Sequence, residues 1–388
     1  MSVAEFCTLG EMKEGKDIGM KKIVIYGVAC IELRQDIEKF LDDDYQIIGY
    51  SDAYFTSSGI DGVPFIKLCE LCNHDFDYVL PASYQENTRM SMRQSLIENG
   101  VLEEKIIEPT MFLQRNAEKA RFDIIEDIRN NYKGGYGLIF GLSYSRFGIR
   151  KNLLTKYFYD CSLPGLDLYY NFHIYMYMVN QGLLSDTKTA LMVFPYYYFN
   201  YDMSRALAQY TSGQIFSVYQ LDDWHHYQQV SGGINYVTNY RMFGKKIAKA
   251  YCSHCVDIEK STVYQGGDGM AVLDKIWLTE HKETIKENRT VFLEFCFNLK
   301  ERAITPILVV PPLYLQGLDS ASVEAFKQKK KQFYRIVDET EKSVGKIKIF
   351  DYADKFAKQP ELFRDITHLN TTGGKVFTGL INEDILSE

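Results

Sequence analysis

Apolar residues along the chain fall into short runs that end at a glycine or an acid, and these runs alternate with segments of helical spacing. Lys21-Lys22 leads into Ile23-Val24-Ile25-Tyr26-Gly27, which reads as a buried strand entering a turn. Glu32 to Leu41 then carries apolar side chains at helical intervals. Gln46-Ile47-Ile48-Gly49-Tyr50 reads as a second strand, with Asp52 just beyond its end, and Gly62-Val63-Pro64-Phe65 as a turn into a short strand. Asp77-Tyr78-Val79-Leu80-Pro81 is a further buried run, followed by the helical stretch Glu86 to Asn99 and then Glu104-Lys105-Ile106-Ile107. Strands alternating with helices predict parallel βαβ units, so residues 20–110 are expected to form a small Rossmann-like domain.

Residues 111–132 are rich in charge and lead into Lys133-Gly134-Gly135, which predicts a helical connector. A second α/β domain is expected over 133–388, with strands from Gly137 to Leu142, Ala190 to Phe194, Pro306 to Val310 and Lys346 to Phe350. Between about 221 and 267 the periodicity weakens and polar and aromatic residues dominate, the pattern of an insertion over the sheet edge that can act as a lid. The fold class is therefore α/β, two three-layer domains with mainly parallel sheets. The basic stretch Lys327 to Lys331 and the acidic cluster Asp338-Glu339-Thr340-Glu341 read as the exposed face of a helix.

A dinucleotide site needs glycines after the first strand, so that backbone amides can approach a pyrophosphate at a helix N-terminus. Gly27 supplies the first, but Val28, Ala29 and Cys30 follow, and the second and third are absent. Asp52 stands where a ribose-binding acid belongs. Gly27 and Asp52 are thus the only cofactor-binding candidates; the broken glycine pattern favours a structural or docking role, and no cofactor is expected.

A net charge of −7 argues against general affinity for nucleic acid or an anionic membrane surface. No run approaches the ~20 apolar residues of a membrane span, and the start of the chain lacks a secretion-signal pattern, so a cytoplasmic protein with reduced thiols is expected. The 29 tyrosines and 24 phenylalanines are taken mainly as core, although such rings also stack on sugars. Cys69-Glu70-Leu71-Cys72 (with His74) and Cys252-Ser253-His254-Cys255 have metal-ligand spacing. The two pairs fall in different domains, and Leu68 and Leu71 mark the first as buried helix, so no metal is expected there. Asp222-Asp223-Trp224-His225-His226 offers further metal-capable groups and is read as a solvated loop or a substrate-facing lip.

Two segments carry chemistry. Gly137-Leu138-Ile139-Phe140-Gly141-Leu142-Ser143-Tyr144-Ser145-Arg146-Phe147-Gly148 runs an apolar strand into a turn with two hydroxyls. A nucleophilic serine belongs at such a strand end, where backbone amides can also meet a developing oxyanion. Near the C-terminus, Asp365 and His368 lie three apart, so a helical turn would project them from one face. That pair can take and return the serine proton, the carboxylate orienting the imidazole. Ser143, His368 and Asp365 are the catalytic candidates, with Ser145 as the competing hydroxyl.

G-L-S-Y-S-R-F-G resembles the first block of the GDSL/SGNH hydrolase superfamily, and D-I-T-H-L-N its last, in the expected order over residues 133–388. Ser162-Leu163-Pro164-Gly165-Leu166-Asp167-Leu168 is similar to the second block. The resemblance implies an oxyanion hole from the backbone of Ser143 and Gly165, with an asparagine from a third block. That block departs from G-x-N-D, reading F-P-Y-Y-Y-F-N-Y-D-M-S, and leaves Asn200 as the nearby candidate. The pattern is closer to members acting in teichoic-acid D-alanylation and surface-polysaccharide modification than to lipases. Y-G, I-I-G-Y-S-D, G-V-P and D-Y-V-L in the first domain are similar to the small Rossmann-like modules found beside polysaccharide-biosynthesis enzymes. The resemblance implies serine-dependent transfer or hydrolysis of an acyl group, acetyl above all, on a sugar or surface-polysaccharide precursor. The alternative is a non-catalytic scaffold for glycopolymer assembly. A small-molecule or glycan substrate is expected, without nucleic acid or membrane insertion; the oligomeric state is left open.

Overall fold

A computed structural model describes residues 20–54, 58–109, 112, 132, 134–205, 225–226, 233–251, 280–314 and 320–387. The chain divides into two compact units, Met1–Gln114 with Arg241–Lys246, and Arg115–Tyr240 with Ile247–Glu388.

In the first unit, β1 (Lys21–Tyr26), α1 (Ile31–Phe40), β2 (Tyr45–Ser51), β3 (Gly59–Ile60), β4 (Val63–Pro64), β5 (Tyr78–Pro81) and α2 (Glu86–Glu98) follow one another. β2, β1 and β5 pair in that order, all parallel, and β3 and β4 form a small antiparallel hairpin. Ile23 to Tyr26 are buried in succession, as a parallel strand covered on both faces requires. α1 is amphipathic: Leu33, Ile37 and Phe40 are its buried side chains, at intervals of four and three. α2 stops at Gly100, whose φ of +88° favours glycine. There Val101 N donates to Leu96 O and Gly100 N to Ile97 O, closing the last turn. Cys69 and Cys72 lie in the short 3-10 helix Leu68–Asn73 and are exposed, which corrects the buried-helix reading. Only Leu71 of that turn is buried, because a 3-10 turn brings round one side chain in three.

The second unit is built on a parallel sheet in the order β10-β9-β8-β6-β7. Its elements in chain order are β6 (Gly137–Gly141), α3 (Ser143–Gly148), β7 (Phe158–Asp160), α4 (Leu168–Asn180), β8 (Thr189–Val193), α5 (Gly233–Tyr251, less the Arg241–Lys246 stretch grouped with the first unit), α6 (Lys282–Glu301), β9 (Thr305–Val310), α7 (Ser320–Val344), β10 (Lys348–Asp351) and α8 (Thr371–Asp384). Alternation along the central strands sends side chains to two cores. Leu138, Phe140, Ala190, Met192, Leu308 and Val310 pack with Tyr170, Phe292, Phe295 and Phe333 of α4, α6 and α7. Ile139, Leu191, Val193, Ile307 and Val309 pack on the other face with Phe377 and Ile381 of α8. The result is helix, sheet, helix: three layers around β6 and β8. Much of the aromatic content is consumed here; Tyr170, Tyr175, Tyr196 and Tyr198 are among the largest fully buried side chains.

α7 exposes Lys327, Lys331 and Asp338 as its charge pattern predicts, but Lys329 and Thr340 are turned inward with Phe333 and Val337. Most of the expected connector and of the expected insertion lies outside the described residues, as do Asp222, Asp223, Trp224 and the pair Cys252 and Cys255 with His254. Within the stretch read as insertion, α5 is a regular helix. Among the described residues, no helix is long and apolar enough to cross a membrane.

Candidate active site

β6 is a fully buried apolar strand next to the central β8, and its end is shaped by two close approaches. Gly141 N donates to Asn171 Oδ1 at 2.9 Å, and Asn171 Nδ2 returns a bond to Gly141 O at 3.3 Å. A Cβ on Gly141 would stand 2.5 Å from Ser145 Oγ and 2.8 Å from Val193 O. Gly141→Ala is therefore expected to destabilise the protein by about 1–3 kcal/mol, the cost of an overpacked site, read as a lower midpoint in urea with the slope unchanged.

Past Gly141 the chain is extended at Leu142 and turns into α3 at Ser143. The two hydroxyls of that turn part company. Ser145 is 1% exposed and donates to Leu142 O at 2.7 Å, so it closes the turn. Ser143 is half-buried and reaches the imidazole of His368: His368 Nε2 and Ser143 Oγ are 2.7 Å apart.

His368 comes from a loop, which corrects the expected helical turn. The antiparallel bridge between Phe363 and Leu369 closes it, with Arg364 N donating to His368 O at 2.8 Å. Asp365 Oδ1 accepts from Thr367 N at 2.9 Å and His368 N at 2.8 Å, so the carboxylate folds the loop around itself. The same carboxylate faces the ring, with His368 Nδ1 at 2.8 Å from Oδ1 and 2.9 Å from Oδ2. A carboxylate only accepts, so this contact assigns the imidazole proton to Nδ1 and leaves the Nε2 lone pair for the Ser143 hydroxyl. Burial pushes the Asp365 carboxyl up, but hydrogen bonds from His368 and Thr367 outweigh it and hold the group below the usual carboxylate range. Tyr144 and Phe147 of α3 wall the ring, at 5.5 Å and 5.8 Å between centroids.

The Ser162–Leu168 segment is tied to α3. Arg146 Nη1 donates to Asp160 Oδ2 at 3.0 Å, while Asp160 Oδ1 accepts from the Ser162 amide and hydroxyl. Gly165 sits in the following turn at φ +76°, and its carbonyl accepts from the Tyr201 hydroxyl at 2.9 Å. Asp167 then caps α4 through Tyr170 N. Asn200 is 2% exposed, and its Oδ1 accepts from His281 N at the start of α6, at 2.9 Å. Ser143, His368 and Asp365 are thus joined by hydrogen bonds, while Gly165 and Asn200 are engaged through their oxygens with other partners.

Sequence reasoning missed Asn171, Thr367 and the two ring walls. Asn171 had a visible signal: an amide in the aromatic run of α4, one turn past the capping Asp167. In the first unit, Gly27 has φ +95° and a Cβ there would lie 2.4 Å from Met92 Cε. Asp52 Oδ2 accepts from Val28 N at 3.0 Å and Oδ1 from Tyr54 N at 2.9 Å, so Asp52 is tied to the residue that follows Gly27.

No protein-family profile matches the chain, and none of the curated proteins does. Among solved structures, a Bacteroides fragilis protein described as a "putative acylhydrolase" aligns with 72% of this chain and 95% of its own, at 12% identity and a TM-score of 0.33. A likeness that slight carries no weight for chemistry, which rests on the site's geometry.

Proposed function

We propose that the protein is a serine acyltransferase or esterase acting on an acyl ester, acetyl above all, of a sugar or surface-polysaccharide precursor. The observation that carries this reading is the continuous chain Ser143 Oγ, His368 Nε2, His368 Nδ1, Asp365. A hydroxyl is a weak nucleophile at neutral pH and needs a base within hydrogen-bond reach, itself oriented by a third group. In this scheme Ser143 Oγ attacks the acyl carbonyl while its proton passes to His368 Nε2, and Asp365 balances the imidazolium. Backbone amides at Ser143 and Gly165, with the Asn200 side chain as third candidate, hold the oxyanion. One such donor contributes roughly 3 kcal/mol. The C–O bond to the leaving alcohol then breaks, and His368 returns the proton to that oxygen. Water, or a sugar hydroxyl in the transferase case, loses a proton to His368 and attacks the acyl-serine carbonyl. The bond from the acyl carbon to Ser143 Oγ then breaks, and His368 gives the proton to that oxygen.

The third block, which reads F-P-Y-Y-Y-F-N-Y-D-M-S and lacks G-x-N-D, favours a second reading, a scaffold for glycopolymer assembly. For the first unit a structural or docking role is supported by Asp52, whose carboxylate already occupies the Val28 amide that a phosphate would need. The free thiols of Cys30, Cys161 and Cys296 suit a reducing cytoplasm.

Steady-state assays with p-nitrophenyl acetate, repeated with acetylated sugars and sugar acceptors, test the reading. Turnover that saturates with ester and yields an acetylated sugar or free acetate is expected. No turnover of any acyl ester or acyl-CoA would replace the enzymatic reading with the scaffold.

A further inference from the structure

A second cluster of chemically active side chains lies in the same unit and takes no part in the scheme above. Asp202 follows the 3-10 turn Tyr198–Asn200, which comes after β8 in the chain, Glu287 sits in the second turn of α6, and His225 and His226 are adjacent in the chain. His226 Nδ1 is 2.7 Å from Asp202 Oδ2, and His225 Nε2 is 3.1 Å from Glu287 Oε1. His226 Nε2 lies 3.5 Å from Glu287 Oε2. One ligand atom each from Asp202, His225 and His226 all lie within 4.8 Å of one another. We propose that Asp202, His225, His226 and Glu287 bind a divalent transition-metal ion of the zinc class.

The donors are held in place. Asp202 Oδ1 accepts from the Ser204 amide at 2.9 Å and from the Ser204 hydroxyl, which turns Oδ2 toward His226. The His225 ring stacks between Tyr169, at 3.8 Å and 11°, and His226, at 4.0 Å and 22°. His225 has φ +44°, a left-handed conformation that costs a non-glycine residue about 1 kcal/mol or more and persists only where its surroundings enforce it.

The charges also favour a cation. The Asp202 and His225 side chains are 1% and 7% exposed. Two carboxylates, from Asp202 and Glu287, face the two imidazoles, and a divalent ion would neutralise what neutral imidazoles do not. Arg205 Nε is 3.2 Å from Asp202 Oδ2, but its side chain is 41% exposed and can turn to solvent when an ion arrives. Two imidazole nitrogens with carboxylate oxygens suit zinc-like ions, whereas calcium and magnesium take nearly all-oxygen shells. Binding would pin the His225–His226 segment to β8 and α6.

The test is a titration of the metal-free full-length chain with Co²⁺ and then Zn²⁺. One equivalent of Co²⁺ with visible d–d bands is expected, displaced by Zn²⁺, with no response to Mg²⁺. His225→Gln and His226→Gln should each weaken binding by at least ~10-fold, while Ser143→Ala binds as the parent does. Circular dichroism of each variant separates a lost ligand from a lost fold, and Glu287→Gln, on a partly exposed side chain, provides a third ligand variant. Absence of Co²⁺ and Zn²⁺ binding, or binding undiminished in all folded variants, would overturn the proposal. So would thiolate charge-transfer bands, which would place the ion on cysteines.

Discussion

Ser143→Ala is expected to lower acyl-ester turnover by at least about 10³-fold, with the fold intact. The nucleophile has no substitute: Ser145 is sealed against Leu142 O, and His368 alone forms no acyl-serine. The residual rate is what the oxyanion donors and substrate binding supply without a covalent step. Stability should change by no more than about 1 kcal/mol, because the half-buried hydroxyl gives up one hydrogen bond. Ser145→Ala should do the reverse, losing about 1–2 kcal/mol from a buried bond while retaining most of the activity. Initial rates and melting temperatures on both variants check the pair. A Ser145→Ala variant that is folded and dead beside an active Ser143→Ala would move the nucleophile two residues along.

Asp365→Asn is expected to cost roughly 10²- to 10⁴-fold in turnover. The amide retains a carbonyl for the Thr367 and His368 N–H groups, so the loop can stay folded. What it loses is the charge that balances an imidazolium, and an NH₂ facing Nδ1 selects the wrong tautomer. Asp365→Ala should add a stability loss of about 1–3 kcal/mol, since the half-buried Thr367 and His368 donors lose their acceptor. The sign with pH follows from the lowered carboxyl. A carboxylate whose folded-state pKa lies below its unfolded value of about 3.9 stabilises fully above that value, and the contribution fades as pH falls through the folded pKa. The melting-temperature gap between the wild type and Asp365→Asn should therefore be constant near neutrality and narrow only below about pH 4. A gap that closed between pH 5 and 7 would contradict the assignment.

The parts legible in the sequence are those set by short-range patterning. Each run read as a strand, from Ile23–Gly27 through Lys346–Phe350, holds one. β1, β6, β8 and β9 show an uninterrupted apolar signature because they are parallel strands buried on both faces, whereas β10 at the sheet edge is exposed at Lys348 and Asp351. Ser143 could be found because it follows such a run at a glycine-bounded turn. The helical reading of Asp365 to His368 failed for a local reason: an aspartate that accepts its own loop's amides competes with helix formation. The spacing of three still brought carboxylate and ring together. β7 was missed because three residues carry too little periodicity to register. α4 is apolar nearly all round, as a buried helix is, and offers no amphipathic stripe. The two contacts of Asn171 with Gly141 lie 30 residues apart in sequence, so only the assembled fold reveals them.

The central claim is that Ser143 is an activated nucleophile, and covalent capture tests it most directly. The full-length chain is incubated with a fluorophosphonate, digested, and mapped by mass spectrometry. One phosphonyl adduct on the peptide carrying Ser143 is predicted, formed rapidly in the wild type and slowed by orders of magnitude in His368→Ala. No adduct on Ser143, or one that forms equally fast without His368, would contradict the account.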